Sequence, residues 1–412
     1  MNKKVLFRTN GCAVLTHETE RIAKFFRLNG WIKTDSLNDA DIIVITCCGV
    51  THNEEDEASA MISELERGRK KESLLVVSGC LPSFAAERIR SISPDARLIT
   101  KSSEFNTLIE ASVPISEVYY NVHSEIGIDA RRTESMDDDE KLAMEIDRMY
   151  ISSECHHSYE FCTMHRYIWQ GEAVYQIKVS QGCPGNCSYC ATKLAIGNVR
   201  SEPESLVLRQ FREGLDSGYK YFLLVGDEIG CYGNDFGSDI IALIDKMYTI
   251  SPDVTLAIRY IHPDIFVRYY ERLKPYFANG YINYFCCAIQ SESPSVLKGM
   301  NRNPDIEPFV QCMEDMNRNG YRVNKHSQII VGFPGETGDD VLQTLRCLIR
   351  CDFDHININI FSRRRGTRAY ALMDTVDDAT KHARYELFRE WQQQNKYAKM
   401  YSAIKKVVLA KI

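Results

Sequence analysis

The sequence predicts an α/β fold in which an N-terminal doubly wound parallel-sheet domain, residues 1–120, precedes a partial (β/α)6 barrel, residues 173–380. In the first region short apolar runs alternate with amphipathic helical stretches, which is a βαβ pattern. In the second region six strand patterns alternate with helical patterns, as in a full or partial parallel barrel. At roughly 150 residues per domain, 412 residues allow two or three domains, and a hydrophobic content of 44% excludes a fully disordered chain.

Three apolar runs predict the strands of the first domain, and a cysteine follows each of them. The runs are Lys4–Arg8, Asp41–Ile45 and Leu74–Val77, with helices predicted over Glu18–Leu28 and Glu54–Arg69. The cysteines that follow are Cys12, the neighbours Cys47 and Cys48, and Cys80. Because the carboxyl ends of strands in an open α/β sheet face one crevice, we expect thiolates from three strand ends to converge there. Three thiolates in one crevice would make a cluster site.

Residues 121–172 shift to charged residues and histidine, and we interpret them as a linker or inserted helical segment. They contain a dense group of thiol and imidazole side chains: Cys155, His156, His157, Cys162 and His165. Such a group could bind zinc, but its spacing matches none of the usual finger patterns. A loop without metal is the simpler account, and the sequence leaves the role of this group open.

Six strands separated by helical patterns are predicted from residue 174 onward. They are Tyr175–Val179, Tyr221–Val225, Val254–Ile258, Tyr281–Ile289, Ser327–Gly332 and His355–Phe361. After them, residues 381–412 predict a helix with eight Lys and Arg against two Glu. A basic amphipathic helix can bind RNA or an acidic partner, although a solvated charged face is the default interpretation.

Cysteine is the anomaly of the composition. Fifteen cysteines occur in a chain with no secretory signal pattern and no apolar run near the roughly 20 residues of a membrane span, so we expect a soluble, cytoplasmic protein without a membrane partner. Metal, cluster or redox chemistry becomes the leading question. Five of the cysteines lie among apolar residues and are predicted to be ordinary core residues: Cys286, Cys287, Cys312, Cys347 and Cys351.

Charge gives a weaker indication about partners. Fifty Lys and Arg against fifty-six Asp and Glu leave a net charge of −6, so the chain has no bulk basic field. A nucleic acid would have to be held by a local patch rather than by the whole surface.

The strongest motif is C-x3-C-x2-C, formed by Cys183, Cys187 and Cys190 just after the first predicted barrel strand. Three thiolates on one short loop can hold three irons of a [4Fe–4S] cluster and leave the fourth iron without a protein ligand. That open iron needs a small-molecule ligand. A zinc site or a purely structural cluster is the competing interpretation.

The spacing of this motif, with the aromatic Tyr189 before the last cysteine, resembles the radical S-adenosylmethionine (SAM) enzymes. The resemblance implies that the open iron chelates the amino and carboxylate groups of SAM, and that an electron from the cluster cleaves SAM to a 5′-deoxyadenosyl radical. It also implies SAM contacts at the ends of the barrel strands. The candidate positions are Tyr189 on the cluster loop and Gly226, Asp227 and Glu228 for the amino group of SAM. Ser291 and Arg302 are candidates for its carboxylate, and Gly332 and Phe333 for its nucleoside.

Further motifs make the chain similar to the methylthiotransferase family over residues 4–390. They are Gly11-Cys12, Thr46-Cys47, Gly79–Leu81, Ser201–Pro203, Ile289–Ser291, Met300–Arg302, Val331–Thr337 and Ser362–Thr367. The resemblance implies an auxiliary [4Fe–4S] cluster held by Cys12, Cys47 and Cys80, with Cys48 the neighbour that the family pattern leaves out. It further implies a two-SAM reaction in which one SAM methylates a sulfur on the auxiliary cluster and the other gives the radical. An electron donor such as flavodoxin or ferredoxin would supply the reducing power.

Several positions depart from the family pattern. Leu15 and Ile45 stand where the family usually has Asn, Gln328 where it has Asp, Asp227 where it often has Gln, and Ile196-Gly197 where it has Arg-Gly. The sequence also ends at Ile412, without room for the small β-barrel (TRAM) domain with which the family grips tRNA or a ribosomal protein. These departures favour a different substrate.

We therefore expect methylthiolation of a peptide or protein side chain, with ribosomally made peptide precursors among the candidates. Methylthiolation of a tRNA adenosine is the alternative, supported by the basic final helix and by Arg363, Arg364 and Arg365, which could contact phosphates. The ordinary interpretation of these arginines is pairing with carboxylates or with SAM. Two further alternatives stay open: radical sulfur insertion without methylation, and a non-catalytic iron–sulfur electron carrier or scaffold.

Overall fold

The computed structural model describes residues 3–10, 13–118 and 174–409. Side chains are described for residues 3–10, 15–118 and 174–395. Cys12 and the group Cys155, His156, His157, Cys162 and His165 lie outside the described residues, so their predicted roles stay predictions. The described residues fall in the predicted first domain, in the predicted barrel and in the predicted C-terminal helix.

The first domain is a five-stranded parallel sheet with strand order β2-β1-β3-β4-β5. Its strands are β1 (Lys4–Thr9), β2 (Ile32–Lys33), β3 (Ile42–Cys47), β4 (Leu74–Gly79) and β5 (Arg97–Leu98). Its helices are α1 (Ala13–Leu28), α2 (His52–Gly68), α3 (Ala86–Ile92) and α4 (Glu104–Leu108). The strand order reverses between β1 and β3, which is the position of the ligand crevice in doubly wound folds. The predicted doubly wound sheet is confirmed.

Helices cover both faces of this sheet because its strands are apolar on both sides. On one face Val5, Phe7 and Val44 pack against Phe25 and Phe26 of α1. On the other face Ile43, Ile45 and Val77 pack against Ala58 and Ile62 of α2. Burial on both faces is typical of parallel strands.

The second domain is an open, six-stranded parallel sheet with strand order β13-β12-β11-β10-β9-β6, the predicted partial barrel. Its strands are β6 (Val174–Lys178), β9 (Tyr221–Val225), β10 (Thr255–Arg259), β11 (Ile282–Cys286), β12 (Asn324–Val331) and β13 (His355–Ile360). A short antiparallel pair, β7 (Ser180–Gln181) and β8 (Arg200–Ser201), brackets the cysteine loop. The sequence did not predict this pair.

Helices cover the outer face of the barrel and enclose its largest hydrophobic core. They are α6 (Glu204–Asp216), α7 (Ile240–Ile250), α8 (Pro263–Ala278), α9 (Pro294–Gly299), α10 (Glu307–Asn319), α11 (Gly338–Cys351) and α12 (Asp378–Leu409). The short helix α5 (Thr192–Ile196) follows the cysteine loop and contributes no residue to this core. Of the five predicted core cysteines, Cys312 is half-buried and the other four are fully buried. None of the helices described here is both long and apolar enough to cross a membrane.

The carboxyl edges of the two sheets face each other. After β13, the Ser362 hydroxyl accepts a 3.1 Å hydrogen bond from the backbone N–H of His52 at the start of α2. The next residues continue this contact, because Arg364 pairs with Glu55 and Arg365 with Glu87. The described candidate cysteines of both sets follow or end strands at these carboxyl edges, so the domain docking brings the loop of Cys183 to Cys190 and the residues Cys47, Cys48 and Cys80 to one region.

Candidate active site

Hydrogen bonds from the barrel fix the middle of the cysteine loop. Ser188 donates from its backbone N–H to the Met300 carbonyl at 2.9 Å and from its hydroxyl to the Gly299 carbonyl at 2.7 Å. Its own carbonyl accepts from the Ala369 N–H at 2.8 Å. The loop is therefore held by the end of α9 and by the segment after β13, and its three cysteines are presented from a fixed backbone.

Two of the loop thiols receive polar hydrogens. The Gly185 N–H donates to the Cys183 sulfur at 3.3 Å, and the Arg302 Nη1 lies 3.8 Å from the Cys187 sulfur. Burial raises the pKa of Cys183 to about 11 and also raises the pKa of Cys190. Cys183 and Cys190 therefore keep their protons at neutral pH until a metal binds, and metal binding releases those protons because the ligand is the thiolate.

This donor set fits an iron–sulfur cluster better than a single metal ion. Within the described ranges no three His, Cys, Asp or Glu side chains converge on one point that could hold a single ion. The three thiolates of a cubane bind three different irons, so they surround a volume instead of meeting at one point. Three half-exposed thiols on one loop, with donors aimed at two of them, match that requirement.

Arg302 connects the cysteine loop to the segment that follows strand β11. Its Nη2 donates to the Ala288 carbonyl at 2.6 Å, and its Nη1 lies 3.4 Å from the Tyr189 hydroxyl. The same guanidinium lines a cavity of about 270 Å³ together with His262, Leu297 and Phe309. The sequence missed His262, whose pKa is lowered to about 3 by burial and by the charge of Arg302, so the imidazole is neutral at pH 7.

The two carboxylates after β9 have different environments. Asp227 accepts a 2.8 Å hydrogen bond from the Gly182 N–H, and it therefore anchors the start of the cysteine loop. Glu228 is 5% exposed, and its Oε1 accepts from the Gly230 N–H at 3.1 Å. Burial raises the pKa of Glu228 to about 8. A buried carboxyl of this kind is suited to accept an ammonium group, which would restore its charge.

Three other predicted SAM positions have structural contacts. The Ser291 hydroxyl accepts from the Ser293 N–H at 3.2 Å and lies 3.2 Å from the Thr344 hydroxyl. At Gly332 the backbone has φ +75°, and a Cβ there would collide with the side chain of Lys381. Phe333 packs against Phe361 with ring centroids 5.1 Å apart, in an apolar group that also contacts Tyr189. Their SAM roles stay predictions.

The strand-end cysteines of the first domain do not all face the barrel. Cys47 is the last residue of β3, is fully buried, and packs in the core with Ile43, Ile45 and α2. Cys48 instead packs with Cys80, Leu15, Phe84 and Ala195. The Cys80 N–H donates to the Cys47 carbonyl at 3.0 Å, while the side chain of Cys48 shares an apolar group with that of Cys80. The predicted ligand role of Cys47 and Cys80 stays a prediction.

The contact with Ala195 joins the two candidate sites. Ala195 belongs to α5, the helix that begins two residues after Cys190. The apolar group formed by Leu15, Cys48 and Cys80 therefore packs against the element that follows the cysteine loop. Such proximity would allow a chemical group to be transferred between cofactors bound at the two sites over a short distance.

Two family descriptions match this chain. The Radical SAM superfamily matches residues 177–348, and the Uncharacterized protein family UPF0004 matches residues 4–100. The two matches correspond to the barrel and to the doubly wound domain.

Named relatives align over nearly the whole chain. A tRNA-2-methylthio-N(6)-dimethylallyladenosine synthase of Caldicellulosiruptor saccharolyticus is 25% identical over 93% of this chain and 77% of its own length. A threonylcarbamoyladenosine tRNA methylthiotransferase of Thermotoga maritima is 27% identical over 94% and 81%. A ribosomal protein uS12 methylthiotransferase of Protochlamydia amoebophila is 24% identical over 99% and 79%.

Solved structures agree with the fold. The radical SAM methyltransferase TsrM of Kitasatospora setae superposes with a TM-score of 0.58 at 13% identity, covering 90% of this chain and 77% of its own. The cobalamin-dependent SAM radical enzyme OxsB superposes with a TM-score of 0.52 at 17% identity, covering 95% and 56%. At these identities the likeness concerns the fold alone.

The cysteine loop, the barrel and these matches define a radical SAM enzyme, a class whose cofactors are a [4Fe–4S] cluster and SAM. With the N-terminal domain included, the two family matches and the named relatives support a radical SAM methylthiotransferase-like family.

Proposed function

We propose that the protein uses two [4Fe–4S] clusters and SAM to replace an unactivated C–H bond by C–S–CH3. The observation that carries this proposal is the packing of Cys48 and Cys80 against Ala195, next to the Cys183–Cys190 loop. A single-cluster enzyme would have no use for a second pair of cysteines at the docked edge. When bound, the clusters and SAM supply the hard chemistry, namely a radical that removes hydrogen and a sulfur that can be transferred.

The protein's own residues bind and orient in this scheme. Cys183, Cys187 and Cys190 supply thiolates to the first cluster, and Cys80 supplies one to the second. Glu228 would hold the ammonium of SAM as a carboxylate; its pKa of about 8 leaves it protonated beforehand, so its proton would leave to solvent when SAM binds. Arg302 orients the carboxylate of SAM through its fork of N–H donors.

The apolar group around the loop excludes water from the reacting centre. Phe333 and Phe361 are almost fully buried and pack beside Tyr189. A radical that abstracts hydrogen must be kept from solvent and from side reactions, and a packed apolar group beside the loop serves that purpose. Further SAM contacts at Gly226 and Ser291 belong to the same proposal.

The cysteines in the part of the chain described are all free, which agrees with a reducing, cytoplasmic location.

As substrate we propose a peptide or protein side chain. One of the three arginines that could have contacted phosphates is used by the fold, since Arg364 is buried and pairs with Glu55, whereas Arg365 makes an exposed ion pair with Glu87. Arg363 lies over the ring of Tyr370 at 5.1 Å and donates to the Tyr370 carbonyl. The burial of Arg364 and the net charge of −6 support a peptide substrate over RNA.

A tRNA adenosine is the second candidate substrate, because several relatives are named for tRNA modification. Binding assays across a range of salt concentrations separate the two. Phosphate contacts give an affinity that falls steeply with salt, whereas a peptide pocket gives a shallow dependence. Steep salt dependence with unmodified tRNA, together with methylthioadenosine in its digest, would overturn the peptide proposal.

Product analysis tests the chemistry itself. With SAM and dithionite under anaerobic conditions, we expect both 5′-deoxyadenosine and S-adenosylhomocysteine by mass spectrometry. The Cys183/Cys187/Cys190→Ala variant should lose 5′-deoxyadenosine. Formation of 5′-deoxyadenosine without S-adenosylhomocysteine would instead favour sulfur insertion without methylation. Absence of both products from the reconstituted wild type would favour a non-catalytic iron–sulfur protein.

A further inference from the structure

We propose that the exposed segment after β13 is the docking surface for an acidic protein that carries one electron. This proposal rests on the proposed function, because cleavage of SAM at the first cluster consumes an electron that a donor must replace. The surface, named the loop-side patch, consists of Arg363, Arg368, Tyr370, Leu372 and Met373. The carrier loses one electron and the cluster gains it, and no bond or proton is exchanged between the two proteins.

The loop-side patch touches the cysteine loop directly. The Arg368 guanidinium donates to the Asn186 carbonyl, and the Ala369 N–H donates to the Ser188 carbonyl at 2.8 Å. Asn186 and Ser188 are the two neighbours of Cys187, and both Arg368 and Asn186 are exposed. The solvent surface therefore lies one residue away from a proposed cluster ligand. A protein bound on this surface would bring its redox centre close to the cluster.

A buried apolar group lies behind the loop-side patch. Ala369, between the exposed Arg368 and Tyr370, is fully buried and packs in the same group as Phe333 and Phe361. This group separates the exposed side chains from the residues proposed to contact SAM. A molecule on the patch could therefore pass an electron inward, but it could not place a C–H bond against the radical. This arrangement favours an electron donor over the substrate as the occupant.

Consecutive large apolar side chains are exposed in the loop-side patch. Tyr370 is 43% exposed, Leu372 38% and Met373 81%. The exposed Leu194 of α5 extends this surface, because a Cβ at Gly366 would lie 3.0 Å from its Cδ1. Contiguous exposed apolar surface marks binding sites, whereas single exposed apolar residues are normal. A small patch of this kind suits the small interfaces of transient electron-transfer complexes.

The charge of the loop-side patch selects an acidic partner. Residues 362–373 contain four arginines and no Asp or Glu. Two of these arginines, Arg364 and Arg365, pair with carboxylates of the first domain. Arg363 and Arg368 are exposed, and the contacts described for them are an aromatic ring and backbone carbonyls, which leave their charges uncompensated. Two such cations beside apolar side chains would attract an acidic surface and speed its association.

The test uses two acidic one-electron carriers as probes, a flavodoxin and a [2Fe–2S] ferredoxin. The reconstituted wild type should bind at least one of them, with a Kd that rises with salt. Arg363→Glu and Met373→Asp should each raise that Kd by about tenfold or more, as measured by isothermal titration calorimetry. Both substitutions spare Arg368, which holds the loop, so iron per chain should stay at the wild-type value.

Matched controls carry the same changes near the carboxyl ends of α6 and α11, toward the amino edge of the barrel sheet. They are Arg212→Glu and Ile349→Asp, both at exposed positions, and they should bind the carriers as the wild type does. With a reduced carrier below its Kd as the sole reductant, 5′-deoxyadenosine formation by the two patch variants should fall about tenfold. With dithionite, which is small enough to need no docking surface, it should match the wild type.

The outcomes separate this proposal from the proposed function. Absence of binding to both carriers, or equal Kd values for the wild type and the patch variants, would overturn the docking surface. Equal losses of 5′-deoxyadenosine with dithionite and with the carriers would also overturn it, since the patch would then support the cysteine loop itself. Binding of unmodified tRNA in place of both carriers, weakened by the same substitutions, would assign the patch to a nucleic acid. A wild type that forms no 5′-deoxyadenosine even with dithionite would overturn the proposed function.

Discussion

Among single residues, Arg302 has the most connections to the candidate site. Its guanidinium reaches the Ala288 carbonyl of the barrel, the Tyr189 hydroxyl and the Cys187 sulfur. A planar fork with fixed donor directions can serve three such acceptors at once, whereas a lysine ammonium on a flexible chain cannot. Arg302 therefore couples the cysteine loop to the pocket proposed for SAM.

Substituting Arg302→Lys should weaken SAM binding while leaving iron content close to that of the wild type. The charge remains, but the forked contact is lost, at a cost of about 1.5–3 kcal/mol for a hydrogen bond to a charged group. That corresponds to a Kd for SAM raised by roughly tenfold or more. Equilibrium dialysis with the reconstituted enzyme measures it. Arg212→Lys, at an exposed position on α6, is the matched control and should bind SAM normally.

At the scale of elements, an ion pair joins α1 of the first domain to β6 of the barrel. Glu18 binds Arg21 at 2.6 Å, lies 3.7 Å from the Lys178 ammonium, and accepts from the Ser102 hydroxyl at 2.8 Å. Burial alone would raise the pKa of Glu18, but Arg21, Lys178 and these hydrogen bonds hold it well below its usual value. The carboxylate form is therefore stabilised in the folded chain.

This ion pair predicts a pH-dependent effect of Glu18→Gln. A carboxyl with a lowered folded pKa contributes stability above its unfolded pKa and loses that contribution as the pH falls toward the folded value. At pH 7 the variant should have a free energy of unfolding lower by about 3 kcal/mol, since Arg21 and Lys178 lose their partner. The difference should shrink below about pH 4.3, the unfolded pKa of Glu. Urea titrations of the apo chain at several pH values measure it, and a difference independent of pH would contradict this account.

The end of β3 shows how far the sequence could predict these elements. The apolar run Asp41–Ile45 located the strand, but the strand runs on to Cys47. Because side chains alternate, an error of one or two residues at the boundary decides whether a thiol lies in the core or in the crevice. The sequence therefore predicted the fold and two neighbouring cysteines at this edge, but not that the side chain of Cys47 packs in the core against α2 while that of Cys48 packs with Cys80.

Contacts between domains were also beyond the sequence. Nothing in Arg363–Arg365 distinguishes the arginine that becomes buried from the ones that stay at the surface. The distinction appears only when the segment after β13 meets α2, where Arg364 becomes 3% exposed. The predicted SAM positions Ser291 and Gly332 similarly have packing contacts that motif matching could not reveal.

For the whole molecule, the proposed function depends on how the two domains are held relative to each other. Arg364 pairs with Glu55, lies 3.2 Å from the His52 Nδ1 and stacks over the Phe84 ring at 5.2 Å. Phe84 also contacts the pair Cys48 and Cys80. One buried side chain of the barrel domain thus touches the helix and the loop that carry the second set of cysteines.

Arg364→Ala should uncouple the two sites. Breaking a buried ion pair costs about 3–5 kcal/mol, so the docking should weaken although each domain keeps its core. We expect 5′-deoxyadenosine to form as in the wild type and S-adenosylhomocysteine with methylthiolated product to be lost. Arg365→Ala is the matched control, since its exposed pair with Glu87 is worth less than about 1 kcal/mol. Equal losses from both variants would contradict a specific role for Arg364.

The measurement that tests the central claim most directly is iron and sulfide per chain after anaerobic reconstitution. Two cubane clusters predict about 8 iron in the wild type, and about 4 each in Cys183/Cys187/Cys190→Ala and in Cys48/Cys80→Ala. If the wild type holds only about 4 iron, all lost with Cys183, Cys187 and Cys190, the first domain binds no cluster. The protein would then be a single-cluster radical enzyme, and the methylthio transfer proposed for it would be wrong.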